Sequence, residues 1–360
     1  MAPERRRNHF IPIFLLNRFA SKSNEKKKIF KIWEISKSSL PRLMSTRNVG
    51  FERDFYGGED TGIEVAFSKE ESNFGQVLTD IDRGRSPSEL NDELTRFVWL
   101  QTIRTRALRL QFESLGQLLF DMLQEDEVVL ALVDKIKSDF ITNQDRHIEA
   151  EIKKLPPHQR ATARVRARHP VARSIIGKML TERITPEYLA KQIDSLRARA
   201  NDQRLFEKSA VSGQLRGLRK LIEEGVSPPH FQPASWVVMQ SGPDQVYLGD
   251  LCAFSISDSG ETGSLMKHGK NWDEVYFPIS SKMILVARKG AGHPRLTNDE
   301  VNMASVEHSL KYIYAKECPP AIDHLRDRIG KRAEVITRAE AESILFDSVL
   351  RKAAEPDSNV

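Results

Sequence analysis

β-forming segments at both ends of the chain enclose a long helical middle, and this order limits the folds that the chain can adopt. Residues 29–35, IFKIWEI, mostly alternate apolar and polar residues, as a half-buried strand does. Short runs of the same kind recur between residues 236 and 287, whereas residues 68–226 repeat apolar residues at helical spacing. The pattern predicts an α+β fold. In it, the N-terminal hairpin and the C-terminal strands form a mixed or antiparallel sheet, and the helices form a large inserted bundle.

The same pattern predicts how the chain is organised. We expect one α+β domain over residues 9–315, with an N-terminal helix and hairpin (9–57), a helical insertion (68–226), and strands with one helix (235–315). A C-terminal helical extension is predicted at 316–352, and a disordered tail at 353–360.

A dense apolar segment, HFIPIFLLNRFA, occupies residues 9–20. Its pattern predicts a short helix from His9, with Pro12 in the first turn, where a missing N–H costs nothing. Leu15, Leu16 and Phe19 share one face at helical spacing and are expected in the core. His9 is the residue of this segment that packing does not explain.

Caps and breakers predict the other helix boundaries. Ser68 is expected to be an N-cap and Gly225 a C-cap. Further helices are predicted at residues 88–108, 173–200, 297–314 and 338–352.

The composition is that of a globular protein without a membrane span. Of the 360 residues, 39% are hydrophobic and 29% are charged, which is enough for a sizeable core. No apolar run reaches the roughly 18 uncharged residues that a transmembrane helix needs. Cys252 and Cys318 form no metal-type pair and no disulfide framework, so a reducing cytoplasm is expected.

Positive charge is concentrated in two basic patches. The formal net charge is +5, yet residues 1–48 hold twelve Lys and Arg against three Glu. Residues 158–173 hold five arginines and no acidic residue. Because such patches attract phosphate backbones, residues 5–47 and 158–173 predict nucleic acid or a nucleotide as a partner. The alternative is that both patches are solvated surface.

Several segments match a known family pattern in the right order. HFIPIFLLNRF resembles the opening H-[YF]-[VI]-P-x-x-x-L-x-x-F, and FVWLQTIRTRALR resembles F-[IV]-x-x-Q-x-x-R-T-P-x-x-R. The strand-turn-strand segment that ends in Asp54-Phe55-Tyr56, the segment from Trp236 to Asp250, and YFPISSKMILV are also similar to it. Together they resemble the family known as domain of unknown function 4238, a resemblance that names a family and no reaction.

The resemblance implies a set of site residues, namely His9, Glu71, Gln101, Arg104, Thr105, Asp250 and Asn302. Two positions depart from the family pattern. Arg106 stands where the family has a proline after Arg-Thr, and Asp250-Leu251-Cys252 replaces Asp-Asn-Pro. If the missing amide binds a ligand in the family, this chain differs in specificity or is inactive.

Two interpretations of these residues are open. Gln101, Arg104 and Thr105 lie at i, i+3 and i+4 and so share one helix face. Glu71 is turned toward apolar neighbours and needs a partner, for which Arg104 is the obvious candidate. The structural interpretation is a buried Glu71–Arg104 pair, with Gln101 and Asp250 satisfying backbone groups.

The functional interpretation is a polar pocket in which His9, Glu71, Gln101, Arg104 and Asp250 converge. His9, Glu71 and Asp250 would be general acids or bases, or ligands of a divalent metal. The substrate would then be bound by Gln101, Arg104, Thr105 and Asn302. In this arrangement the guanidinium of Arg104 would receive a phosphate or another anion.

Two functions follow. The first is a hydrolase-like intracellular enzyme that acts on a phosphate-bearing substrate, nucleic acid or nucleotide, through the polar pocket. The second is a non-catalytic binding or interaction module with a buried polar network and basic surface patches. An open pocket that holds His9, Glu71, Arg104 and Asp250 would favour the enzyme, whereas scattered or sealed residues would favour the binding module.

Overall fold

The structure is a computed structural model, and it describes a defined part of the chain. The described residues are 7–24, 29–56, 61–169, a few between 171 and 194, 205–225, 230–290, 292–333 and 336–345. Most of the helix predicted at 173–200, the end of the helix predicted at 338–352 and the whole tail predicted at 353–360 lie outside the described residues.

The strands lie near both ends of the chain, as the sequence pattern predicts. They are β1 (Arg7–His9), β2 (Ser21–Asn24), β3 (Ile29–Ser36), β4 (Arg42–Ser45), β5 (Phe51–Arg53), β6 (Ser235–Gln240), β7 (Leu248–Gly249), β8 (Phe254–Ser257), β9 (Thr262–Gly263), β10 (Trp272–Ser280), β11 (Met283–Arg288) and β12 (Tyr312–Ala315).

Helices fill the middle of the chain and the end of its described part. They are α1 (Ile13–Asn17), α2 (Thr61–Asp82), α3 (Asn91–Arg104), α4 (Arg106–Met122), α5 (Asp126–Thr142), α6 (Gln144–Lys154), α7 (Pro157–Ala167), α8 (Leu205–Glu224), α9 (Leu265–His268), α10 (Asn298–His308), α11 (Ile322–Arg328) and α12 (338–345). Short 3-10 turns lie at Thr46–Asn48, Pro87–Leu90 and Gly269–Asn271.

The strands pair only antiparallel in the described part of the chain, and the α+β class is confirmed. One sheet has the order β2-β3-β12-β7, with β4 added to β3. A second sheet has the order β6-β11-β10-β8-β9, and β1 pairs with β5 alone. The N-terminal hairpin therefore does share a sheet with C-terminal strands, but only with β7 and β12. The expectation of a single sheet is corrected, because most C-terminal strands pair among themselves.

The start of the chain differs from the helix predicted from His9. Residues Arg7–His9 form a strand, whose partner is Phe51–Arg53. Pro12 is the N-cap of α1, with an extended ψ of 138°. Since proline also favours an extended residue before it, the chain enters α1 from a strand rather than from an earlier helical turn. The core prediction is confirmed, because Leu15, Leu16 and Phe19 are fully buried.

Two further helix boundaries are corrected. Helix α2 begins at Thr61 rather than at Ser68, because Ile63 and Phe67 extend its buried stripe toward the N-terminus, and the Ser68 hydroxyl donates to the Glu64 carbonyl inside the helix. The helix predicted at 297–314 ends at His308, and residues 312–315 form strand β12. The predicted C-cap is confirmed, since Gly225 has a φ of +65° and its N–H donates to the Leu221 carbonyl.

The chain divides into two compact units. Residues 1–111 and 209–334 make the first unit, which holds all of the strands described above. Residues 112–208 and 335–360 make the second, which is helical over most of its described part. The helices of 68–226 are distributed over both units. Residues 338–345 belong to the second unit, where Ala341 and Leu345 pack with Met122, Val128 and Leu132.

The main core belongs to the first unit and encloses the opening segment. Leu15, Leu16 and Phe19 belong to the same buried cluster as Phe97 of α3 and Phe277 of β10. Within the described residues, no helix is both long enough and apolar enough to cross a membrane.

Candidate functional site

The last turn of α3 faces the opening segment of the chain. Arg104, whose side chain is 6% exposed, donates from Nη1 to Glu71 Oε1 at 2.5 Å and from Nε to the Tyr56 hydroxyl at 2.7 Å. Its Nη2 donates to the backbone carbonyl of His9, and its guanidinium lies 4.3 Å from the centre of the Phe67 ring. The predicted Glu71–Arg104 pair is confirmed. A buried arginine is satisfied here by one carboxylate, one hydroxyl and one carbonyl.

Gln101 lies one turn earlier on the same helix face. Its Nε2 donates to the carbonyl of Phe10 at 2.7 Å and lies 3.4 Å from the Cys252 sulfur. Burial raises the pKa of Cys252 to about 12, so the thiol stays protonated and is a poor nucleophile. Gln101 and Arg104 thus bind the carbonyls of two consecutive residues of the opening segment.

Thr105 separates α3 from α4, so the single helix predicted at 88–108 is corrected to two. Thr105 is extended, with φ −68° and ψ 151°, and its hydroxyl accepts from the Leu108 N–H at 3.3 Å. A residue before proline prefers this conformation, and proline is favoured at the first position of a helix. The family proline therefore suits the position of Arg106, which begins α4 here and pairs with Glu52 at 3.3 Å.

Gln214 binds the backbone at the break between α3 and α4. Its Nε2 donates to the carbonyls of Ile103 and Thr105 at 2.8 and 3.1 Å, and its Oε1 accepts from Nε and Nη2 of Arg109. Arg109 also lies 3.5 Å from the centre of the Phe55 ring. The family resemblance included Arg109, whereas nothing in the local sequence pointed to Gln214.

The His9 ring is half-buried and lies beside Phe51, with 5.6 Å between the ring centres. Burial, together with the positive charges of Arg104 and Arg7, lowers the pKa of His9 to about 4, against the opposing effect of a hydrogen bond to the Arg47 backbone. The imidazole is therefore neutral near neutral pH. Its Nε2 is closed off from solvent and has no hydrogen-bond partner among the described residues.

Asp250 makes no hydrogen bond to the Arg104 cluster in the described part of the chain, and it holds the start of β12. Its Oδ1 accepts from the Leu310 N–H at 2.7 Å, and its Oδ2 accepts from the N–H groups of Lys311 and Tyr312 at 2.8 and 3.0 Å. Burial raises the pKa of Asp250 to about 6, although these three donors lower it. Asp250 therefore satisfies backbone groups, as the structural interpretation predicts. These contacts also explain why the chain leaves the helix at His308 and continues as a strand.

The residue that replaces the family proline after Asp250 has an unusual backbone. Cys252 has a φ of +65°. Proline holds φ near about −65°, so the loop of this chain must differ from a family loop that carries proline here. The departure seen in the sequence is thus accompanied by a different local conformation.

Asn302 also forms hydrogen bonds to backbone groups. Its Oδ1 accepts from the Tyr247 N–H at 2.9 Å, and its Nδ2 donates to the Gln245 carbonyl at 2.8 Å. Asn302 thereby fixes the segment that enters β7 against α10.

The proposed site residues form two hydrogen-bonded groups, and Cys252 lies between them, 3.4 Å from Gln101 Nε2 and close enough to Asp250 for the two groups to interact electrostatically. His9, Glu71, Gln101, Arg104 and Thr105 lie around the opening segment and the end of α3, whereas Asp250 and Asn302 bind backbone groups near β7 and β12. In the described part of the chain, no three or more His, Cys, Asp or Glu side chains are grouped to hold a metal ion. The catalytic, substrate-binding and metal-binding roles of these residues stay predictions.

We predict that Arg104→Met lowers the free energy of unfolding by about 3–5 kcal/mol, because it leaves the buried carbonyl of His9, the Tyr56 hydroxyl and Glu71 without their donor. The matched control is Arg96→Met. Arg96 lies on the same helix and pairs with Glu70 at 2.8 Å, but both side chains are partly exposed, so a loss of only about 0–1 kcal/mol is expected. Urea denaturation measures both. Equal losses would show that the Arg104 cluster is no more important than a surface pair.

We predict a pH-dependent cost of folding at His9. Because its pKa falls from 6.5 to about 4 on folding, the unfolded chain binds the proton more tightly. This cost is absent above about pH 6.5 and grows as the pH falls toward 4. Relative to His9→Gln, the wild type should lose about 1–2 kcal/mol of unfolding free energy between about pH 7 and pH 5. A difference independent of pH in urea denaturation would show that His9 titrates normally.

The sequence matches a known family over most of its length. The family is described as "Protein of unknown function (DUF4238)", and the match covers residues 7–319. No curated protein and no solved structure matches the chain. The match includes the opening segment, the end of α3 and the Asp250 turn. The contacts described above are therefore made by segments that belong to the matched region. The chain belongs to this family.

Proposed function

We propose that the protein is a non-catalytic module that binds nucleic acid through an exposed face of the β1–β5 strand pair. We call this surface the arginine face and define it by Arg7, Arg47, Arg53, His9 and Phe51. The observation that carries the proposal is that three exposed arginines lie on the β1–β5 strand pair and the adjoining Thr46–Asn48 turn without a carboxylate partner among the described residues, one of them, Arg7, beside the Phe51 ring.

The strand register supports this grouping. Arg7 lies opposite Arg53, and His9 lies opposite Phe51, so these four side chains share one side of the strand pair. The Arg7 guanidinium is 5.2 Å from the centre of the Phe51 ring, and the His9 ring is 5.6 Å from it. Arg7 also donates to Asn48 Oδ1 at 2.9 Å, which holds its guanidinium beside the Thr46–Asn48 turn that contains Arg47.

The charges on the two sides of the β1–β5 strand pair differ. Asn8 and Glu52 point to the opposite side, where Asn8 donates to Glu64 and Glu52 pairs with Arg106. The arginine face thus keeps its positive charge, and the neutral His9 adds none near neutral pH. Guanidinium groups bind phosphates in a bidentate way, and an aromatic ring can stack on a base that is not paired. This combination favours single-stranded nucleic acid.

The contacts of the predicted catalytic residues give less support to a hydrolase. His9 Nε2 is closed off from solvent, Glu71 is paired with Arg104, and Asp250 is bonded to three backbone N–H groups. A general base must reach the proton that it removes. The experiment below therefore also tests for the alternative, a hydrolase-like activity on a phosphate-bearing substrate.

The second basic patch offers a further surface in the second unit. In the described part of this patch, Arg166 of α7 and Arg168, which follows the helix, are exposed. Arg164 of α7 pairs with Glu149. Electrostatic attraction of phosphates needs no fixed geometry, so this patch can add affinity without specificity.

We predict that a triple variant of the arginine face, Arg7→Gln with Arg47→Gln and Arg53→Gln, binds a fluorescent single-stranded oligonucleotide at least about tenfold more weakly than the wild type. Because three phosphate contacts are lost, the slope of log K against log salt should fall in magnitude by about 2–3. Fluorescence anisotropy over a series of salt concentrations measures both quantities, and a duplex of the same sequence tests the preference for single strands.

A charge-matched variant gives the control. Lys69→Gln, Arg83→Gln and Lys331→Gln remove three exposed cations of the first unit that are not part of the arginine face. Equal weakening in both triple variants would mean that only net charge matters, and no weakening in either would contradict the proposal. Cleavage of the oligonucleotide that is lost in His9→Ala would support the hydrolase instead.

A further inference from the structure

A polar cavity of about 300 Å³ lies at the open end of the β10–β11 hairpin, in the first unit. Its wall includes Glu274 of β10, Arg288 at the end of β11, and Gly290, Gly292, His293 and Arg295 of the following loop. Ligand pockets range upward from about 300 Å³, so this one suits a small molecule and not a polymer. It is separate from the arginine face.

Arg288 forms the floor of the cavity. It is 7% exposed; its Nε donates to Glu274 Oε1 at 3.1 Å, and its Nη1 donates to the Gly292 carbonyl. Two nitrogens of the guanidinium are thus fixed, so its orientation is set before any ligand binds. Nη2 has no hydrogen-bond partner among the described residues and is not closed off from solvent. A fixed donor at the floor of a polar cavity is suited to bind an acceptor.

The carboxylates of the cavity already have partners. Glu274 accepts from Arg288, from the Tyr276 hydroxyl and from the Arg295 N–H, the last at 2.9 Å. Asp273 Oδ2 pairs with Arg295 Nη2 at 2.5 Å. The groups that remain for a ligand are therefore mostly donors. A molecule rich in acceptors, and above all an anion, fits this balance.

The two glycines keep the approach to Arg288 open. A Cβ at Gly292 would lie 3.1 Å from Arg288 Nη2, and the φ of +129° at Gly292 is one that other residues rarely adopt. A Cβ at Gly290 would meet no atom within 4 Å. The loop thus leaves space beside Nη2, the nitrogen of Arg288 for which the described part of the chain offers no acceptor.

We propose that this cavity binds the oxyanion of a small molecule, a phosphate or a carboxylate, with Arg288 at its floor and the exposed His293 and Arg295 at its rim. The site does not depend on nucleic-acid binding at the arginine face. It gives the protein a second ligand of a different size class.

Isothermal titration of the full chain with inorganic phosphate, and separately with acetate, tests the proposal. The titrations use the triple variant of the arginine face, so that ions bound there do not contribute. We expect one-to-one binding of at least one of the two ions, with a dissociation constant of about 1 mM or lower, and the tighter one identifies the ligand chemistry. The absence of millimolar binding for both ions would overturn the proposal.

Two variants locate the binding site. Arg288→Gln should weaken binding at least about tenfold, because it removes a charged donor. Since this change also removes the partner of buried Glu274, Gly290→Leu provides a second test, because it places a large side chain at the lining of the cavity and leaves the ion pair intact. Gly75→Leu on α2 is its matched control, because a Cβ at Gly75 likewise meets no atom within 4 Å.

The outcomes separate this proposal from the proposed function. Gly290→Leu should lose ion binding and keep nucleic-acid binding. The triple variant of the arginine face should keep ion binding and lose nucleic-acid binding. Ion binding in Gly290→Leu that equals that in Gly75→Leu would place the ion elsewhere and overturn the proposal.

Discussion

The burial of two consecutive backbone carbonyls at the start of the chain is the constraint on which the first unit depends. The carbonyls of His9 and Phe10 accept from Arg104 and Gln101 of α3, and the N–H groups of Phe10 and Ile11 donate to the Gly50 carbonyl. A buried polar group without a partner costs about 1–3 kcal/mol, so these bonds hold the opening segment between α3 and the residues before β5. The positions of α1, β1 and the end of α3 follow from this arrangement.

The same constraint decides which residues remain for a ligand. Arg104, Gln101 and Glu71 are occupied inside the fold, and Asp250 is occupied by the turn into β12, so the motif residues of the family are largely explained by structure. On the β1–β5 strand pair, Arg7 and Arg53 have no carboxylate partner among the described residues, and in the cavity Nη2 of Arg288 has no acceptor there. We therefore place the proposed recognition of anions on these two surfaces and not on the motif residues Arg104, Gln101, Glu71 and Asp250.

Local spacing in the sequence predicted much of this and failed at contacts between distant segments. The core positions Leu15, Leu16 and Phe19, the C-cap Gly225 and the Glu71–Arg104 pair follow from helical periodicity and the need to pair a buried carboxylate. The binding of residues 310–312 by Asp250 has no local signal, so β12 was predicted as helix. The pair Glu274 and Arg288 was not predicted. The two residues lie opposite each other in the β10–β11 register, at similar distances along the sequence from the turn. An acidic and a basic residue placed in this way could have indicated the pair.

Native-state hydrogen exchange at Phe10 and Ile11 tests the central claim most directly. If the carbonyl contacts of the opening segment hold the first unit together, these two amides should exchange only when the unit unfolds globally. Their exchange free energies should then equal that of a core strand residue such as Val286 in β11, which is fully buried. Exchange of Phe10 and Ile11 through a local opening of much lower free energy, with Val286 still protected, would contradict the account.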